Sequence, residues 1–394
     1  MKEYRKEMVV LFTILFLVMA GFGIIIPIMP FFVTHLEGSP TALGFLMASY
    51  SLMQFFFAPL WGRLSDRIGR RPVLLIGLFG YGITFIIFGF STRLWMLFAA
   101  RLLSGMISSA TLPTAMAYIA DITGNRERAG SMGMMGAAMG LGMIFGPALG
   151  GWLGHYGFAF PFFTAGGLAI ITLPFAWVFL PESLKDKSEK PPRAWHHIFG
   201  PQVFQEPQFP LFALSFVVSF TMALFESTFA IFAADRIGFG PREMGLLFTL
   251  LGILGVIMQA GLIGRLVNRF GEVKVILAGI IISAAGFLLI LMADSAALMI
   301  IFAGIFSTGN SLLRPGISSL VTKTASGGQG TALGTMQSFD SLGRICGPIT
   351  GGAVYDLDWH LPYSLSIVLL IAALAVFKGK LNQYSFSTDP CLDR

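Results

Sequence analysis

The chain has 394 residues, 55% of them hydrophobic and only 12% charged, with a formal net charge of +6. Soluble domains carry about 25% charged residues, so a soluble globular fold is excluded. The positive charges are scattered between apolar runs, which argues against a nucleic-acid partner, and Cys346 and Cys391 make neither a disulfide framework nor a metal pattern.

After a polar, basic start, Met8 to Thr34 is free of charge, too long for a signal-peptide core and closed by no small-residue cleavage site. It predicts the first transmembrane span. Further apolar stretches follow at 40–62, 72–91, 95–120, 130–153, 158–180, 209–233, 244–264, 273–293, 296–321, 331–354 and 361–378. Each can cross about 30 Å of hydrocarbon as a helix, and a helix satisfies its own backbone. The predicted fold class is an all-α membrane protein of twelve transmembrane helices. With a cytoplasmic N-terminus, 20 of the 26 lysines and arginines fall in cytoplasmic segments and 3, Arg93, Arg236 and Arg242, fall outside. That bias predicts a multi-pass protein of the cell membrane with both termini in the cytoplasm.

The longest polar stretch, 182–207, is expected as a cytoplasmic linker between bundles at 1–181 and 208–394. The halves repeat. Gly62-Arg63-Leu64, Arg67 and Gly69 recur 202 residues later as Gly264-Arg265-Leu266, Arg269 and Gly271, and Pro113 recurs as Pro315. Gly133, Gly142, Gly146-Pro147 and Gly150-Gly151 recur 201 residues later as Gly334, Gly343, Gly347-Pro348 and Gly351-Gly352. Two six-helix bundles related by a parallel repeat are expected, with a midplane site where the repeats meet.

Within this frame a few residues stand out. The segment Gly62 to Arg71 holds one acid, Asp66, among four arginines, and the acid is expected to answer a local positive charge or a helix N-terminus. Arg101 lies inside the fourth span, where a charge is costly and must face a partner or the interior; its repeat counterpart is Ala303. Glu226 falls in the middle of the seventh. Apolar surroundings favour the neutral form of such an acid, which suits proton exchange, and Phe220, Phe225 and Phe229 offer stacking surface to a cationic ligand. Asp340 and Arg344, four apart, share a helix face and read as a self-neutralising pair or as a proton-linked switch. Gln54 and Gln259 are either substrate contacts or helix glue. Asp121 and Asp235 sit at span ends, where water reaches them, and are assigned no transport role.

The Gly62–Arg71 segment resembles the signature loop of the major facilitator superfamily. The resemblance implies that fold and a cytoplasmic gate of Gly62, Asp66, Arg67, Gly69 and Arg70, with Asp66 bonding across the halves; Asn268 replaces the acid in the second copy. Gly133, Gly142, Gly146, Pro147, Gly150 and Gly151 resemble the antiporter motif of drug/proton exporters, which implies export rather than import. The Leu97–Gly105 segment around Arg101 resembles a motif implicated in proton coupling. Phe225-Glu226-Ser227 is similar to multidrug exporters of Gram-positive bacteria, a subgroup with a second carboxylate where this chain has Ser311, beside Asn310. That departure leaves a narrower tetracycline- or phenicol-like substrate range open.

The implied function is proton-coupled efflux of small lipophilic or cationic compounds by alternating access. Glu226, Arg101 and Asp340 are the proton-coupling candidates. Glu226, Phe225, Phe229, Gln54, Asn310, Ser311 and Gln259 are the substrate candidates. No phosphate-binding Gly-x4-Gly-Lys-Ser/Thr motif occurs, so the expected energy source is the proton gradient, with no cofactor and no metal. The expected partners are substrate, protons and membrane lipid, and the expected state is a monomer. A membrane enzyme would need a nucleophile–base pair or metal ligands, and no histidine lies mid-span.

Overall fold

The computed structural model describes residues 4–184, 203, 206, 208–325 and 329–385. The expected 182–207 linker lies largely outside these residues. Every regular element among those described is helical: α1 Arg5–His35, α2 Pro40–Ile68, α3 Arg70–Gly89, α4 Leu94–Ile122, α5 Asn125–Gly154, α6 Ala159–Phe179, α7 Phe209–Ile237, α8 Pro241–Ile257, α9 Glu272–Leu291, α10 Ala296–Thr324, α11 Gln329–Tyr355 and α12 Leu361–Ser385. The α8 path continues through a π turn, Met258–Leu262, into a short helix, Ile263–Phe270.

Ten helices among the described residues are long and apolar enough to cross a membrane. The other two predicted spans are helical but fall short for visible reasons: α8 is divided by its π turn, and α11 carries Asp340, Arg344 and many glycines. Local chemistry explains the boundaries. Ser39 caps α2 by accepting the Ala42 N–H at 3.1 Å, with Pro40 as first helical residue. Ser295 caps α10 likewise, accepting from Leu298. Gly69 makes the turn between α2 and α3 at φ 114°, and its repeat counterpart Gly271 makes the turn before α9 at φ 79°; both are conformations that side-chain-bearing residues rarely adopt. In α4, a 3₁₀ turn at Ser108–Ala110 precedes Pro113, which has no N–H to give the carbonyl four residues back.

The chain clusters into two compact units, Met1–Pro192 with Phe239–Thr249, and Arg193–Gly238 with Leu250–Arg394. The first turns of α8, expected with the second bundle, therefore cluster with the first. Helix α1 in the first unit and α7 in the second are each buried along most of their length. Side chains such as Ile171, Val178 and Val368 are well exposed, as a lipid-facing surface requires.

The glycines of α5 and α11 set how these helices meet. A Cβ on Gly142 would lie 2.6 Å from the Phe16 carbonyl oxygen, and one on Gly150 would lie 3.1 Å from the Ile24 Cα. In the second unit, a Cβ on Gly343 would lie 2.7 Å from the Phe216 carbonyl oxygen, and Gly347 and Gly351 abut Phe220 and Leu224. Helix α5 thus lies against the α1 backbone as α11 lies against α7. The contacted residues Phe16, Ala20 and Ile24 correspond to Phe216, Phe220 and Leu224, 200 positions on.

Candidate functional site

Among the described residues the first unit buries one cation. Arg101 is 2% exposed, its guanidinium 4.8 Å from the ring centroid of Tyr50 and its Nη2 3.7 Å from the Met47 sulfur. Gly105, one turn further along α4, makes the approach possible: a Cβ there would lie 2.6 Å from the Tyr50 carbonyl oxygen. A desolvated cation over an aromatic face gains about 2 kcal/mol, which offsets part of the cost of an arginine inside hydrocarbon. Gln54 follows Tyr50 by one turn on α2, so Arg101, Tyr50 and Gln54 lie along one seam. The sequence reading found Arg101 and Gln54 but missed Tyr50; the signal available was its position four residues before Gln54.

The basic end of the first unit is a network around Arg70. Its Nη1 lies 2.5 Å from Asp66 and 2.6 Å from Ser65 Oγ, and its Nε lies 3.1 Å from Asp121. Ser183 donates to the same Asp121 oxygen at 3.2 Å. Asp66 therefore answers a local positive charge, as expected. The helix N-terminus is answered by Glu182: its carboxylate accepts the Arg70 N–H at 2.7 Å and the Arg71 N–H at 3.2 Å, capping α3 from a position 112 residues away. Asp121 belongs to the network and is exposed, in keeping with its place at a span end. Gly62 lies inside α2 with open space where a side chain would go, and the turn is made by Gly69. Arg67 is exposed.

The same corner recurs in the second unit with its signs exchanged. Adding 202 to Arg70 and Asp121 gives Glu272 and Lys323, and these two form an ion pair in which Glu272 also accepts from Ser319 at 3.0 Å. Each pair ties the start of one helix (α3 or α9) to the end of the next (α4 or α10).

Among the described residues the second unit buries three acids: Glu272 of the ion pair above, Glu226 and Asp340. Glu226 is 6% exposed on α7. Met222 lies one turn earlier on the same face, and its sulfur is 3.5 Å from Asn310 Nδ2 of α10, so Asn310 and Glu226 belong to one neighbourhood. Ser311 lies opposite Gly255 of α8, and Gln259 is exposed in the π turn, a local irregularity common at functional sites. Phe225 and Phe229 are fully buried, stacked on each other at 4.3 Å, with Phe225 4.6 Å from Phe306. They form an aromatic core between helices and line no open surface in this structure.

Asp340 is 1% exposed and draws three groups to itself: Ser215 Oγ at 2.5 Å, Ser219 Oγ at 2.9 Å and Arg314 Nη2 at 3.3 Å. Its ion-pair partner is Arg314 of α10 rather than the expected Arg344. The α7–α11 packing turns Asp340 toward α7 and α10, and Arg314 reaches it across that seam. In the antiporter-like motif, Gly142, Gly146 and Gly150 face α1, Gly151 lies against Gly245 at the start of α8, and Gly133 meets nothing.

A family model described as the Major Facilitator Superfamily matches residues 11–262 and 211–383. The chain belongs to the major facilitator superfamily. It is a multi-pass membrane transporter. Multidrug resistance protein 2 of Bacillus subtilis (strain 168) is 31% identical over 96% of this chain and 97% of that protein. Multidrug resistance protein 1 of the same organism is 32% identical over 95% and 96%. Quinolone resistance protein NorA of Staphylococcus aureus is 26% identical over 94% and 96%. Among solved structures, a bacterial homolog of the human lysosomal transporter Spinster covers 99% of this chain and 100% of its own at a TM-score of 0.81 and 14% identity. The human organic anion transporter MFSD10 covers 94% and 98% at a TM-score of 0.67 and 24% identity. These two speak for the fold alone, and the superfamily expectation drawn from the Gly62–Arg71 segment is met.

Proposed function

We propose that this superfamily member exports small lipophilic or cationic compounds in exchange for protons, by alternating access, with both termini in the cytoplasm and as a monomer. The observation that carries the reading is Glu226, an acid 6% exposed in the middle of α7 and one turn from the Met222–Asn310 contact. Such an acid couples proton to substrate only if its proton affinity differs between the two access states; equal affinity would shift nothing. Buried Arg101 in the first unit and Asp340 in the second are the further groups whose pairing would change with state. Relatives named for multidrug and quinolone resistance support efflux as the direction. The proton gradient supplies the energy, and the chain acts as a transporter rather than an enzyme.

Ethidium efflux from cells expressing the chain tests this. The wild type is expected to extrude dye, a protonophore to stop it, and Glu226→Gln to abolish it while leaving membrane expression intact. Persistent protonophore-sensitive efflux by Glu226→Gln would move the proton-carrying role elsewhere. One observation favours a narrower range as a second reading: Ser311 stands where the resembling multidrug subgroup has a second carboxylate. No movement of ethidium, with transport of tetracycline or chloramphenicol, would select it.

A further inference from the structure

A groove of about 540 Å³ runs between α1 and α6 in the first unit. Its polarity is arranged end to end. Arg5 and Lys6, both exposed, stand at its mouth, and Lys6 is held there with its ammonium 5.9 Å from the centroid of Phe179. Below them the walls are Val9, Val10, Ile171 and Phe175. Two threonines also line it, but neither offers a hydroxyl proton: Thr13 donates to the Val9 carbonyl at 2.9 Å and Thr172 to the Leu168 carbonyl at 2.7 Å. From Arg5 to Thr13 the α1 wall is roughly 12 Å long at the helical rise. Among the described residues no acid lines the groove, and Glu7, next to Lys6, is not part of its wall.

Nearby residues fit a headgroup level at this end. Trp177 of α6 is 63% exposed with the Arg71 guanidinium 5.1 Å from its ring centroid, an aromatic–cation pairing suited to the membrane–water interface. A second groove, walled by Leu250, Ile253, Leu254 and Ile301, has no charged residue among its described lining, so nothing there would select one headgroup over another.

We propose that the α1–α6 groove binds one anionic phospholipid from the leaflet at the basic end, its phosphate between Arg5 and Lys6 and an acyl chain along the apolar wall. Charge complementarity selects the headgroup, and the silenced threonines leave a wall that suits a hydrocarbon tail better than a polar solute.

Native mass spectrometry of the full chain in detergent, with palmitoyl-oleoyl phosphatidylglycerol or the phosphatidylcholine of identical tails, reads the site directly. The expected result is one retained phosphatidylglycerol and little phosphatidylcholine. Arg5→Gln with Lys6→Gln should weaken that retention roughly 30-fold, the effect of two interfacial cations. Arg265→Gln with Arg269→Gln, which removes two exposed cations from the second unit, should leave it unchanged. Thr13→Trp, which fills the groove and keeps its charge, should also abolish retention. Equal retention of both lipids, undiminished retention in Arg5→Gln with Lys6→Gln or in Thr13→Trp, or equal loss in the Arg265→Gln control, would each overturn the proposal. Efflux is not part of the readout, so failure here is separable from failure of the transport reading.

Discussion

Arg101 and Asp340 meet the same problem, a charge inside an apolar bundle, in different ways. Arg101 lies over the face of Tyr50, and a planar guanidinium is suited to that contact in a way an ammonium is not. Arg101→Lys should therefore lower stability although the charge is kept, and Tyr50→Leu should cost about 1–2 kcal/mol, read as a lower unfolding midpoint in detergent. Asp340 instead collects two hydroxyls and a half-exposed arginine. Asp340→Ala leaves Ser215 and Ser219 without their acceptor and should cost about 1–3 kcal/mol. Asp340→Asn keeps an acceptor oxygen and should cost about half as much. If the two substitutions destabilise equally, the serine contacts are not what holds this corner together.

Within the repeated α5 and α11 motif, the glycines that matter are those where a backbone arrives. Gly146 and Gly347 lie against the carbonyls of Ala20 and Phe220, whereas Gly133 and Gly334 meet nothing within 4 Å. Adding a methyl at either of the first two forces α5 from α1, or α11 from α7, and should cost about 1–3 kcal/mol. The same change at either of the other two should be neutral, or stabilising by up to about 1 kcal/mol, because alanine is the better helix former. The motif spacing alone treats all four alike; thermal unfolding of the four alanine variants distinguishes them. The exchanged ion pairs give a second element-scale test. If Arg70–Asp121 and Glu272–Lys323 are equivalent ties, Glu272→Lys and Lys323→Glu should each destabilise. The double reversal should then recover at least about 0.5 kcal/mol beyond additivity.

At the scale of the whole molecule, two units carry one packing plan twice, α5 on α1 and α11 on α7. The sequence comparison detected the repeat in the glycine and proline positions but not in α1 and α7, since the contacted groups there are main-chain atoms under Phe16 and Phe216, Ala20 and Phe220. A backbone contact leaves no mark on residue type. The proposed orientation has its own test at this scale: reporters fused after α6 and after α12 should both report the cytoplasm, as the 20-to-3 distribution of lysine and arginine implies.

Membrane character, the helical spans, the twofold repeat and the positions of the in-span charges were legible in the residues themselves. The cost of placing a side chain in hydrocarbon is local and depends mostly on that side chain. Which groups answer those charges was decided by the tertiary structure. Glu182 caps a helix 112 residues before it, Arg314 displaces Arg344 as the partner of Asp340, and Phe225 and Phe229 turn into an aromatic core. A partner is chosen by the helix that packs alongside, and that choice depends on which faces let two backbones come close.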